Sequence, residues 1–114
     1  MKITKQDWQL FRQKLPDWQE AYMDRLNREY IEILAGEGNP SDKFWALEKR
    51  IRQDKRSSGV QLQLSRSDLL NLLSALLVDD VITLDDLDGF SQDLRDALFF
   101  LMGRYIEEDM HGTI

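Results

Sequence analysis

The chain has no cysteine, one histidine and two prolines in 114 residues. Without cysteine there are no disulfides and no thiolate metal sites, and nothing ties the chain to an oxidising compartment. Catalysis by a Ser-His-Asp or Cys-His arrangement needs a histidine held inside a formed site. The sole histidine, His111, stands in a stretch, 107–114, that reads as a frayed tail. No apolar run approaches the roughly 20 residues that a membrane span requires. Leu69 to Val78 is interrupted by Asn71 and Ser74 and runs into Asp79 and Asp80, while Ala97 to Met102 is bounded by Asp96 and Gly103. The opening residues Met1-Lys2-Ile3-Thr4-Lys5 turn polar at once, unlike a signal peptide. These absences predict a soluble, cytoplasmic protein with no membrane partner.

What is present is charge, unevenly spread. The formal net charge is -6. Residues 79–114 hold ten acids against two bases, whereas residues 1–78 hold thirteen bases and eleven acids. Such a polarised chain either steers a charged partner or pairs its own two halves.

Hydrophobic spacing and punctuation predict an all-α fold, a single domain over 1–106 built as a compact bundle of about five helices. Thr4, with Asp7 three residues on, caps a first helix that carries Trp8, Leu10, Phe11 and Leu15, and Pro16 ends or bends it. A second helix shows Trp18, Tyr22, Leu26, Tyr30, Ile33 and Leu34 on one face, widened by Met23, and Gly36 closes it. Ser41 restarts the chain, and Phe44, Leu47 and Ile51 define the expected buried side of a third helix. Val60 to Leu64 alternates with the period of a strand. It reads as an extended segment, or as one half of a two-stranded ribbon with Val81-Ile82-Thr83. Ser65 with Asp68 resembles a capping box ahead of the stripe Leu69, Leu72, Leu73, Leu76, a helix apolar enough to be central. Thr83 with Asp86 marks a short turn broken by Gly89. Ser91 caps a last helix with Leu94, Leu98, Leu101, Met102 and Tyr105.

Few patterns carry chemistry. The acids Asp79, Asp80, Asp85, Asp86 and Asp88 fail the spacing of a calcium loop, because Gly89 arrives directly after Asp88. Capping residues and a solvated face account for them better. Gly36 and Gly38 lack the Lys-Ser/Thr and preceding strand of a phosphate loop, and no carboxylate pair stands out for acid–base work. The chain therefore reads as no enzyme and as needing no cofactor or metal.

Two surfaces rise above this background. Trp45, Lys49, Arg52 and Arg56 form a basic helical stripe headed by an aromatic, inside a segment (42–56) with six bases and three acids. Such a face can contact phosphates, although no helix-turn-helix pattern accompanies it. A solvated face paired with the acidic C-terminal third is the preferred reading. Phe99 borders the last helix's apolar stripe while Phe100 projects away from it, and since two adjacent aromatics cannot both face one core, one of them is expected to meet another helix or another chain.

Two segments, Leu15-Pro16-Asp17-Trp18-Gln19-Glu20-Ala21-Tyr22-Met23 through Asn27-Arg28-Glu29-Tyr30 and Ser41-Asp42-Lys43-Phe44-Trp45-Ala46-Leu47-Glu48-Lys49-Arg50-Ile51, carry a family likeness. Over residues 4–105 the chain resembles a group of small uncharacterised helical bacterial proteins. The resemblance implies no activity, cofactor or binding residue. The functional expectation is a protein–protein interaction or regulatory module, with a protein partner or a second copy of itself. The alternatives are a nucleic-acid-binding accessory protein using helix 42–56, and an acidic inhibitor mimicking nucleic-acid charge through the C-terminal third.

Overall fold

A computed structural model describes the backbone of residues 3–112 and the side chains of residues 3–103. It contains four α-helices: α1 (Lys5–Ala35), α2 (Pro40–Asp54), α3 (Leu69–Val78) and α4 (Gln92–Gly112). Single turns of 3₁₀ helix lie at Arg66–Asp68 and Leu84–Leu87. No strand occurs among the described residues. The expected tail from 107 and His111 lie outside the described side chains. No helix among the described residues is long and apolar enough to cross a membrane.

The expected first and second helices are one. Thr4 caps α1 by accepting the Asp7 N–H on its hydroxyl, at 3.0 Å, and Pro16 sits inside the helix. Proline removes the bond to the carbonyl of Arg12 and costs about 3 kcal/mol in a helix interior. Pro16 and Arg12 both face solvent, so water satisfies the freed carbonyl. Phe11 and Leu15 before the proline, and Trp18 after it, pack into the same core. Their burial, about 1.5–3 kcal/mol for each large apolar side chain, holds the helix through the interruption.

That core gathers the N-terminal half of α1, α3, the Leu84–Leu87 turn and the start of α4. Phe11, Leu69, Leu73, Leu76, Leu94 and Leu98 are fully enclosed. An aromatic chain runs through its edge, with ring centroids 5.7 Å apart for Trp8–Phe11 and 6.4 Å for both Phe11–Trp18 and Trp18–Phe90.

The ribbon does not form, and the end of α3 shows why. Val81 and Ile82 donate their N–H groups to the carbonyl of Leu76, and Asp80 donates to Leu77. This is a Schellman closure with Asp80 in the left-handed conformation, φ 58°. The N–H groups that a ladder with 60–64 would need close the helix instead. In the 60–64 segment Leu62 leans on the core and Leu64 stays exposed. The predicted Ser65 box is also absent: Ser65 makes no cap bond and its hydroxyl meets that of Ser67. The Thr83–Asp86 box does form, the Asp86 carboxylate taking both the N–H and the hydroxyl of Thr83 at 2.7 and 3.2 Å.

Beyond the core the molecule extends into an arm made of the C-terminal half of α1 and α2. The radius of gyration is 17.1 Å, against about 13 Å for a compact chain of this length. The expected compact bundle is thus an elongated body of 54 × 39 × 22 Å. The loop after α2 fastens arm to core. Ser58 donates its N–H and hydroxyl to one oxygen of Asp79, at 3.0 and 2.7 Å. Gln19 donates to the Ser58 carbonyl, and Gly59 lies against the Tyr22 ring, where any Cβ would fall 2.3 Å from a ring carbon.

Candidate docking surface

α2 contains no buried residue. Its predicted inward stripe is open: Phe44 is 62% exposed, and Leu47 and Ile51 are half-covered. Helical periodicity marks a face that needs an apolar neighbour. Among the described residues α1 is the helix that packs on α2, covering one flank and leaving Phe44 to solvent.

The covered flank is polar. Arg50 pairs with Glu29 at 2.8 Å and with Asp54 at 3.0 Å, and the Tyr30 hydroxyl donates to Asp54. Burial and the adjoining Asp54 carboxylate push the Tyr30 phenol up to about 12. Partial burial works against the Arg50 cation, but Asp54 and Glu29 outweigh it and hold the proton more firmly. This network fixes α1 and α2 antiparallel with Glu29 level with Arg50. Leu26 is the one residue of the arm segment of α1 that is buried.

The open flank is apolar. One hollow of about 260 Å³ lies along α2 between Phe44, Leu47 and Ile51, rimmed by Glu48, Arg52 and Lys55. A second, of about 290 Å³, continues from Ile51 and Lys55 across to Met23, Leu26 and Tyr30 of α1, with Val60 at its end. Together they make a shallow groove along both helices. Beside it lie Ile31, Leu34 and Trp45, which are 64%, 48% and 63% exposed. The rings of Trp45 and Phe44 meet edge to face at 5.0 Å. A continuous exposed apolar surface rimmed by charge is the pattern of a protein-binding face.

Trp45, Lys49 and Arg52 of the predicted basic stripe lie on α2 next to this groove, whereas Arg56, expected on the helix, falls in the turn after it, because α2 ends at Asp54. Trp45, Lys49, Arg52 and Arg56 are all exposed. Among the described residues that stripe makes no ion pair with the acidic C-terminal third. Among the described residues every ion pair lies between positions 24 and 54, and Arg52 pairs with Glu48 on its own helix.

The predicted acids do not converge on a site. Asp79 holds Ser58, Asp80 closes α3, and Asp86 caps the turn at Thr83. Asp85 is exposed in the first turn of the 3₁₀ helix. A polar cleft on the far side of the arm brings Asp79 and Asp80 near Arg25, Glu29, Arg50 and Asp54, where Arg25 donates to the Asp80 carbonyl.

Phe99 and Phe100 are both 68% exposed. Phe99 edges a hollow of about 310 Å³ with Leu77, Leu84 and Met102, and Phe100 takes no part in it.

Comparison with protein-family models, curated proteins and solved structures finds no match for this chain. The functional reading therefore rests on the geometry.

Proposed function

We propose that the protein is a non-enzymatic interaction module whose working surface is the open flank of the arm. The observation that carries this reading is the apolar stripe Phe44, Leu47, Ile51 on a helix with no fully buried residue. Spaced three and four residues apart, these side chains present the ridges on which an amphipathic helix of a protein partner seats its own. Arg52, Glu48 and Lys55 on the rim orient the incoming segment and exclude wrong partners. The latch of Ser58 and Gly59 on Asp79 and Tyr22 holds the arm out from the core, so the groove is preformed and its ordering cost is met on folding.

The competing reading, phosphate contact by Lys49, Arg52 and Arg56, uses the neighbouring face of the same helix and the turn that follows it. The two separate in one experiment. A photo-crosslinking amino acid at position 47, in the cells that make the protein, is expected to yield protein adducts of discrete mass. Phe44→Asp should abolish them, while Lys49→Glu should leave most of the yield. Adducts to nucleic acid, or protein adducts indifferent to Phe44→Asp, would overturn the proposal.

A further inference from the structure

We infer that the occupant of the groove is the same arm of a second copy, the two arms closing a four-helix bundle. The inference rests on the reading of the groove as a docking surface. A pair of antiparallel helices with one apolar flank is one layer of such a bundle, and a domain needs a second layer to cover it.

Three features of the arm match it to itself. First, the groove positions repeat the same spacing on both helices, Met23, Leu26, Tyr30 on α1 and Phe44, Leu47, Ile51 on α2. Alternating steps of three and four make the seam along which helices pack at about 20° in bundles.

Second, charge selects one arrangement. With the ion pairs inside one chain set aside, residues 42–56 keep four bases and one acid, whereas residues 24–37 keep two acids and one base. A twofold axis across the helices would lay α2 on α2, base against base. A twofold axis along the helices lays α2 of each copy on α1 of the other, base against acid, twice over.

Third, the register set by Arg50 and Glu29 brings matching groups level in that second arrangement. Arg56, in the turn two residues beyond the end of α2, comes near the level of Asp24 of the other copy, and Trp45 comes level with Leu34 and Ile31. Trp45, Leu34, Ile31 and Phe44 are the large apolar side chains of the arm left exposed in one copy, and this pairing covers them together. α2 is about 22 Å long and two helices side by side are about 20 Å across. That footprint is below that of a standard stable interface, which makes the dimer a weak, reversible one.

Sedimentation velocity on the full chain across the micromolar range tests this. The expected mass rises with concentration from one chain to two, and Phe44→Asp holds it at one with unchanged far-UV circular dichroism. Arg56→Asp and Asp24→Arg should each weaken association about tenfold, since symmetry counts every change twice, and the double variant should recover most of the loss. One chain at every concentration would overturn the inference. A dimer unmoved by Phe44→Asp, or singles that the double variant does not rescue, would overturn it equally. Protein adducts from position 47 in a strictly monomeric protein would leave the docking reading standing with a different partner. Loss of both would remove the docking reading itself.

Discussion

Asp7 accepts the backbone N–H of Ser91 at 2.8 Å and its hydroxyl at 2.6 Å, tying the first turn of α1 to the start of α4 across 84 positions of sequence. The Ser91 hydroxyl in turn accepts the N–H of Leu94. One carboxylate, 3% exposed, thereby organises the entry of the helix that supplies Leu94 and Leu98 to the core.

This tie predicts an acid-sensitive fold. Burial raises the Asp7 carboxyl, but the two bonds from Ser91 and the contribution of Thr4 outweigh it and hold it below its ordinary 3.8. A carboxylate depressed on folding stabilises fully above its unfolded value and loses that stability as pH falls through the folded one. Chemical denaturation should show stability level above about pH 5 and declining below pH 4. Asp7→Ala should cost about 2–3 kcal/mol at neutral pH by stranding two donors, and should flatten this limb of the acid profile.

The junction predicts a size-sensitive glycine. Gly59→Ala drives a methyl into the Tyr22 ring, and overpacking of this kind costs about 1–3 kcal/mol. Tyr22→Leu in the same chain should return part of that loss. Additive effects in a double-mutant denaturation series would argue against the contact.

The acids of 79–86 should divide by what they hold. Asp79→Ala strands the Ser58 N–H and hydroxyl and should cost about 1–3 kcal/mol. Asp80→Gly relieves a left-handed Asp and should be neutral or stabilise by up to about 1 kcal/mol. Asp85→Ala, at an exposed position, should fall within about 0.5 kcal/mol. Thermal melts of the three variants side by side give the order directly.

Two phenylalanines at equivalent places in amphipathic stripes should behave oppositely. Phe11 is fully buried and Phe44 is 62% exposed. Phe11→Ala should cost about 3–5 kcal/mol, whereas Phe44→Ala, in a dilute monomer, should cost within about 0.5 kcal/mol.

Those two residues also show how far the sequence carries. The core stripes Phe11 and Leu15 in α1, Leu69, Leu72, Leu73 and Leu76 in α3 and Leu94 and Leu98 in α4, and the caps at Thr4, Thr83 and Ser91, are legible, because each follows from local periodicity or a local hydrogen bond, whereas Leu34, expected on the apolar face, is exposed. Pro16 misled, because a proline's cost depends on whether its orphaned carbonyl meets water and whether both flanks share a core, and neither is local. The strand-like alternation of 60–64 misled because its prospective partner spends its N–H groups on Leu76. At Phe44, Leu47 and Ile51 the periodicity was right and the expected burial was wrong. A 3.6-residue pattern says that a face wants an apolar neighbour and is silent on which chain supplies it. Met23 and Tyr30 are legible as parts of an apolar face, but that they and Val60 border one groove with Ile51 is not, since only the hairpin of α1 and α2 brings them together.

Photo-crosslinking from position 47, with and without Phe44→Asp, tests the central claim most directly, since the variant alters the groove and leaves the core of Phe11, Leu73 and Leu98 untouched. The account predicts discrete protein adducts that vanish with Phe44→Asp while the melting curve stays in place. Adducts that persist in the variant, or that consist of nucleic acid, would contradict it.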